Sequence, residues 1–411
     1  MTSPLSRAVD RIVPPRLGRD FRLLLGSSWV SNLGDGIALS AAPLLVASVT
    51  RDPLLVSLAA LLQRLPWLVV GLYAGVLADR LDRRVMTVVV ELARAAVLGV
   101  LTLSIVTGTV QVWLVLGASF LLGVTETFAD TAAPAMLPML VERRDLGIAN
   151  ARLMFGFLTL NQLAGPPIGA FLFAAGTAYP FVVQAVAVAL GALLVARLRL
   201  PELPARQPSH VRRDVAEGFR WLLAHPPVRT LALTILVFNV TWGCSWAVLV
   251  LYAQERLGLG DIGFGLLTTV SAVGGLLGTA SYGFIERRVH LGVVMRVGLV
   301  IETLTHLGLA LTTSPVVAMA IMFVFGAHAF IWGTTSRTVR QRAVPTAFQG
   351  RVSSVYMLGL MGGLVIGQAL AGPIARLGGI TAPFWFAAVG SALMLVLVWR
   401  RLMLIAHAEA D

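Results

Sequence analysis

About a dozen apolar stretches, each long enough to cross a bilayer, follow one another along this chain with little between them. A helix crossing a roughly 30 Å hydrocarbon core needs about 20 residues. Lipid offers backbone groups no partners, so such stretches fold as helices whose hydrogen bonds are internal. They run near 21–49, 54–78, 85–107, 111–132, 149–175, 178–198, 230–254, 263–285, 291–313, 315–337, 352–375 and 381–401. Of 411 residues, 57% are hydrophobic and 13% charged, whereas about a quarter of a soluble domain is charged. The expectation is an all-α membrane protein of twelve transmembrane helices, with little mass left for a soluble domain.

The few charges are informative by position. Net charge is +12, and all 32 Lys or Arg residues are Arg. They gather on alternate loops: Arg80, Arg83 and Arg84, then Arg143 and Arg144, Arg287 and Arg288, and Arg340, Arg342 and Arg351. The opposite loops keep only Arg51, Arg256 and Arg376. Basic residues are retained on the cytoplasmic side, so both termini are expected inside. Arg7, Arg11, Arg16, Arg19 and Arg22 precede a long first span, which reads as a retained anchor in the plasma membrane rather than a cleaved signal. Arg at helix ends speaks for membrane orientation and not for a nucleic-acid partner. A single cysteine, Cys244, excludes an intrachain disulfide and any multi-cysteine metal site.

One stretch breaks the apolar rhythm. Residues 200–229 carry Pro201, Pro204, Pro208, Pro226 and Pro227. Between them Val211 to Ala224 has the pattern of an amphipathic helix on the inner membrane surface, the alternative being a solvated connector. Two phrases also repeat across it. Ala164-Gly165-Pro166 returns as Ala371-Gly372-Pro373, and Asp82-Arg83-Arg84 as Glu286-Arg287-Arg288. Their offsets, 207 and 204 residues, nearly agree. The pattern predicts two pseudo-symmetric six-helix bundles, 1–199 and 230–411, joined by a linker at 200–229. Substrate sites in such parallel-repeat transporters lie near the midplane.

The run Gly75-Val-Leu-Ala-Asp79-Arg80-Leu-Asp82-Arg83-Arg84 lies between the second and third spans. It resembles the signature loop between helices 2 and 3 of the major facilitator superfamily. Gly75, Leu77, Ala78, Asp79, Arg80, Arg83 and Arg84 match, and Asp82 stands where the family has a second glycine. The resemblance implies a cytoplasmic gate, with Asp79 against the start of span 11. Asp130, one turn beyond Glu126 and at the inner face, is expected to pair with Arg83 as part of that gate rather than to touch substrate. Gly165-Pro166-Pro167-Ile168-Gly169-Ala170 in span 5 resembles the glycine–proline motif of drug:proton antiporters, with Ala170 in place of a usual glycine. The linker phrase from Asp214 to Leu223 and the Gly350-Arg351-Val352 turn look like the enterobactin and macrolide exporter branch.

Charged groups at membrane depth are costly and mark function or a partner. Asp35 and Arg64 fall at one level, roughly 21 Å from the inner face at 1.5 Å per residue. They are expected to pair, either as a proton-sensitive switch or as a permanent ion pair locking spans 1 and 2. Glu126 is either a proton or cation acceptor, or a carboxylate bonded to a neighbour such as Thr125 or Thr127. Glu91 and Arg94 are spaced for an i, i+3 pair. Asn32, Asn161, Phe238, Asn239, Trp242, Trp246, Glu302, His306 and His328 are candidate substrate-cavity residues. For the tryptophans, packing or interface-belt roles compete; for His328, a bond to a carbonyl. Nothing fixes a third ligand beside Glu302 and His306, so neither metal nor cofactor is expected. Gly274-Gly275 and Gly278 suggest close helix packing.

The combined reading is a secondary transporter that exports an amphipathic small molecule in exchange for protons, working as a monomer. A P-loop requires Lys, which the chain lacks. No nucleophile–base or metal constellation suggests an enzyme. A lipid or lysolipid flippase, a proton-coupled importer and a non-transporting membrane sensor are the alternatives.

Overall fold

The computed structural model describes residues 15–201 and 211–405. It is almost entirely helical. The helices are α1 Gly18–Val49, α2 Pro53–Arg80, α3 Arg83–Val106, α4 Val112–Leu140, α5 Arg143–Ala175, α6 Tyr179–Ala196, α7 Val211–Ala224, α8 Pro226–Ala247, α9 Asp261–Arg288, α10 Leu291–Leu311, α11 Pro315–Ala343, α12 Gln349–Gly378 and α13 Ala382–Val398, followed by the short α14 Arg401–Ile405. Among the described residues, 11 helices are long and apolar enough to span a membrane, and α13 adds a shorter apolar one.

Proline and capping residues set several of the ends. Pro226 and Pro315 open α8 and α11 at positions where the missing N–H costs nothing. Asp82 opens α3: its carboxylate accepts from the backbone N–H of Arg84 at 2.8 Å and of Val85 at 3.3 Å. Its backbone is extended, φ −61° and ψ 113°, so no glycine is needed at this turn. The departure from the family loop thus adds a helix cap.

The described residues divide into two compact units. The first holds 15–45 and 65–201, the second 46–64 and 211–405. In the first, α5 approaches α1 with almost no side chain between. A Cβ on Gly165 would lie 2.4 Å from the Gly36 Cα, and one on Gly169 would lie 2.2 Å from the Ile37 carbonyl oxygen. Ser40 Oγ donates to the Pro166 carbonyl at 2.7 Å across the same contact. Just before it, Phe157–Ala164 is π-helical. Pro166 and Pro167 supply no N–H to the preceding turn, and Gly165 N–H reaches back five residues to the Leu160 carbonyl.

The second unit repeats these devices. On α12, a Cβ at Gly363 or Gly367 would lie 2.5 or 2.2 Å from α8 carbonyl oxygens of Leu236 or Val240. The expected close packing of α9 is present: Gly274 and Gly278 sit against the α11 carbonyls of Phe323 and Ala327. Helix α7 runs over the residues, Val211 to Ala224, whose pattern predicts an amphipathic helix. Gly218 lies against the Arg351 backbone, and Glu217 bonds Arg213 at 2.9 Å and Arg351 at 3.2 Å. The bonded Arg213, reinforced by Arg351, holds the Glu217 carboxyl below its ordinary range. Trp221 stacks on His225, with ring centroids 3.7 Å apart.

Candidate functional site

Each unit carries a buried polar cluster at the middle of its helices. In the first unit the cluster joins α1, α3, α4 and α6. The Arg94 guanidinium binds the Asp35 carboxylate directly. It also lies 3.7 Å from Glu91 Oε2, one turn back on its own helix. Glu126 of α4 lies within electrostatic range of all three groups, and Gln184 of α6 hydrogen-bonds Asp35. The Arg94 and Glu91 side chains are 6% and 8% exposed, the Asp35 side chain 28%. Arg94 Nε and Glu91 Oε2 have no hydrogen-bond partner. Asp35 and Glu91 therefore share one guanidinium, with Glu126 within electrostatic range.

Asp35 meets Arg94 of α3. The available signal was the i, i+3 pair of Glu91 and Arg94, whose guanidinium sits at the same level. Gln184 carried no sequence signal.

The gate candidates are only partly visible. The side chains of Asp79 and Arg80 lie outside the described residues. Gly75 has open space around it. Arg83 is buried and donates to the Ala135 carbonyl of α4 at 3.0 Å, on the same inner half as Asp130. Arg84 donates to the Leu198 carbonyl at 3.0 Å.

The second cluster joins α8, α10 and α11. Glu302, His306 and His328 are buried at 0%, 0% and 5% exposure. The two rings take opposite oxygens of one carboxylate: His306 Nε2 lies 2.8 Å from Oε1 and His328 Nε2 lies 3.3 Å from Oε2. The other nitrogen of His306 is 3.1 Å from Ser245 Oγ. Rings that clasp a carboxylate from two sides do not converge on a common point, and among the described residues no group of three is arranged to hold a metal.

Aromatic rings wall this cluster. Trp242 stacks on Phe325 at 4.0 Å and contacts Trp246 at 5.0 Å. Phe238 stacks on Trp332 at 5.9 Å. Trp332, which the sequence reading passed over, is among the largest fully enclosed side chains. Of the amide candidates, Asn239 donates to its own helix at Ile235 and Asn32 to Ser28, both at 2.7 Å. Asn161 is buried and accepts from Gln162 at 2.6 Å.

A family model described as transmembrane secretion effector matches residues 14–411. The multidrug efflux pump Tap of Mycolicibacterium fortuitum is 29% identical over 391 residues, covering 88% of this chain and 90% of that protein. The enterobactin exporter EntS of Shigella boydii serotype 4 is 28% identical over 401 residues, covering 93% and 92%. A bacterial homologue of the iron transporter ferroportin, solved in an inward-facing state, superposes with a TM-score of 0.74 at 16% identity, covering 99% of this chain and all of that one. The nucleoside transporter NupG superposes at 0.73 with 12% identity, covering 95% and 100%. At those identities the structural likeness is one of fold.

Proposed function

This chain belongs to the transmembrane secretion effector family of the major facilitator superfamily, and from that membership we propose that it expels an amphipathic small molecule by exchanging it for protons. It is a secondary active transporter of the plasma membrane and not an enzyme. Its relatives export drugs and a siderophore, and the proposed cargo is of that kind. We further propose twelve spans, with α13 the last, both termini in the cytoplasm, and two six-helix halves joined through α7. The one-sided distribution of Arg and the repeated phrases support this arrangement.

One observation carries the proton reading: Arg94 is shared by Asp35 and Glu91, with Glu126 near. An excess of carboxylates at membrane depth is relieved by a proton or by a cation. Asp35 is the most accessible of the Asp35–Arg94–Glu91 set, so it is the group that exchanges with solvent. When Asp35 takes a proton, its hold on Arg94 weakens. The guanidinium then turns to Glu91, whose Oε2 has no other hydrogen-bond partner. The tie between α1 and α3 loosens while the charge on α3 stays paired. Release of the proton restores the tie.

The test is transport in proteoliposomes under an imposed pH gradient, screened over cationic, neutral and anionic amphiphiles. Gradient-dependent movement that a protonophore abolishes is expected. Equal movement with and without the gradient would overturn the reading.

A further inference from the structure

We propose that Glu302, His306 and His328 form a second proton-binding site, enclosed in the C-terminal unit, in which the proton resides on His306 as an imidazolium paired with the Glu302 carboxylate. Its place in a transport cycle rests on the proton-driven reading above. The location of the proton does not.

The argument is a count of hydrogens. A carboxylate accepts, so each ring must present N–H at its Nε2: His306 toward Oε1 at 2.8 Å, and His328 toward Oε2 at 3.3 Å. With both rings neutral, their Nδ1 atoms are bare and the cluster carries one negative charge. No solvent reaches Glu302 or His306, and an uncompensated charge there is strongly unfavourable. One more proton makes the cluster neutral. A protonated Glu302 donating to His306 Nε2 would leave both rings neutral, and is the outcome that overturns the assignment. With Glu302 ionised, the proton goes to one of the two bare Nδ1 atoms.

The surroundings choose between them. His306 Nδ1 faces Ser245 Oγ at 3.1 Å, and Ser245 Oγ in turn lies 3.2 Å from the Thr241 carbonyl oxygen. A proton on His306 Nδ1 completes an ordered chain. Nδ1–H donates to Ser245, and the Ser245 hydroxyl donates to Thr241. His328 Nδ1 has no partner. It faces Gly298 beside the Trp332 ring, where a Cβ would lie 3.0 Å from it. A hydrogen placed there has no acceptor. The remaining neighbours, Trp242, Phe325, Phe238 and Trp332, offer no charge. Among the described residues, the titratable groups facing Glu302 are the imidazoles of α10 and α11, and α8 contributes the Ser245 hydroxyl.

The proton comes from solvent and fills the Nδ1 lone pair; no other bond changes. Its loss would leave Glu302 unneutralised. Release is therefore tied to motion that parts α10 from α8 and admits water to the cluster.

Histidine-selective ¹⁵N solid-state NMR of the reconstituted full chain tests this, since an imidazolium shows two protonated nitrogens. From neutral to mildly alkaline pH, one imidazolium signal should persist. It should be lost in His306→Gln and in Glu302→Gln, persist in His328→Gln, and weaken in Ser245→Ala. A neutral His306 at neutral pH, or a signal that vanishes with His328 instead, would overturn the assignment. The milder Ser245→Ala and His328→Gln variants keep the question decidable where Glu302→Gln folds poorly. A His306 imidazolium found in a protein whose export ignores the pH gradient supports the site and removes only its coupling role.

Discussion

The Arg94 guanidinium on α3 rests on the Asp35 carboxylate of α1, and on its other side it looks toward Glu91 of its own helix. One cation thus links two helices through one acid and keeps a second acid in reserve. The arrangement favours neither a dry core nor a permanent clamp. A pin between α1 and α3 would be made more stably from apolar residues.

Asp35→Asn should abolish gradient-driven transport and leave insertion and folding intact, because the amide is nearly isosteric with the acid. Proteoliposome flux alongside the yield of monodisperse protein reads both properties. Full flux in Asp35→Asn would take this residue out of the coupling role.

Arg94→Ala should be the more damaging change. It strands Asp35 and Glu91 without their guanidinium, and removing one partner of a buried pair costs about 3–5 kcal/mol. The double variant Asp35→Asn/Arg94→Ala should recover part of the lost thermal stability. Strict additivity of the single effects would show that the pair is not energetically coupled.

Gly165→Val should destabilise the first unit. Its Cβ would meet the Gly36 backbone at 2.4 Å, with no flexible side chain to yield. Overpacking of this kind costs about 1–3 kcal/mol. Thermal melting in detergent measures it. Gly75→Ala, where nothing lies within 4 Å, is the matched control and should melt as the parent does.

Asp82→Ala should lower stability by about 1 kcal/mol through loss of the α3 cap, and Asp82→Gly by only a few tenths. The second substitution restores the family's usual residue. A larger loss in Asp82→Gly than in Asp82→Ala would mean that the turn, rather than the cap, is what Asp82 supports.

Acid should loosen the linker helix. The Glu217 carboxyl is held below its ordinary value by Arg213 and Arg351. A depressed folded value stabilises docking above the ordinary carboxylate range, and that contribution is lost as pH falls through the lowered value. Spin labels on α7 and on the first turn of α12 should separate in that acidic window. In Glu217→Gln they should be insensitive to pH.

Much of this protein is legible in one dimension. Apolar length marks the spans, and proline punctuation marks α7, because both are local properties of the chain. The family loop and the glycine–proline phrase are local as well, and Gly165 and Gly169 do occupy a backbone contact. Partnership is not local. Residue numbers place Asp35 and Arg94 at similar heights, yet only the rotation of each helix about its axis decides that they meet. That rotation is set by packing, notably the approach of α1 to α5 at Gly36 and Gly165. The same holds for Asn239, whose amide donates to its own helix at Ile235. It holds for Glu302 too: the i, i+4 spacing announces His306, but His328, 26 residues on, arrives at the other carboxylate oxygen only because α11 packs beside α10.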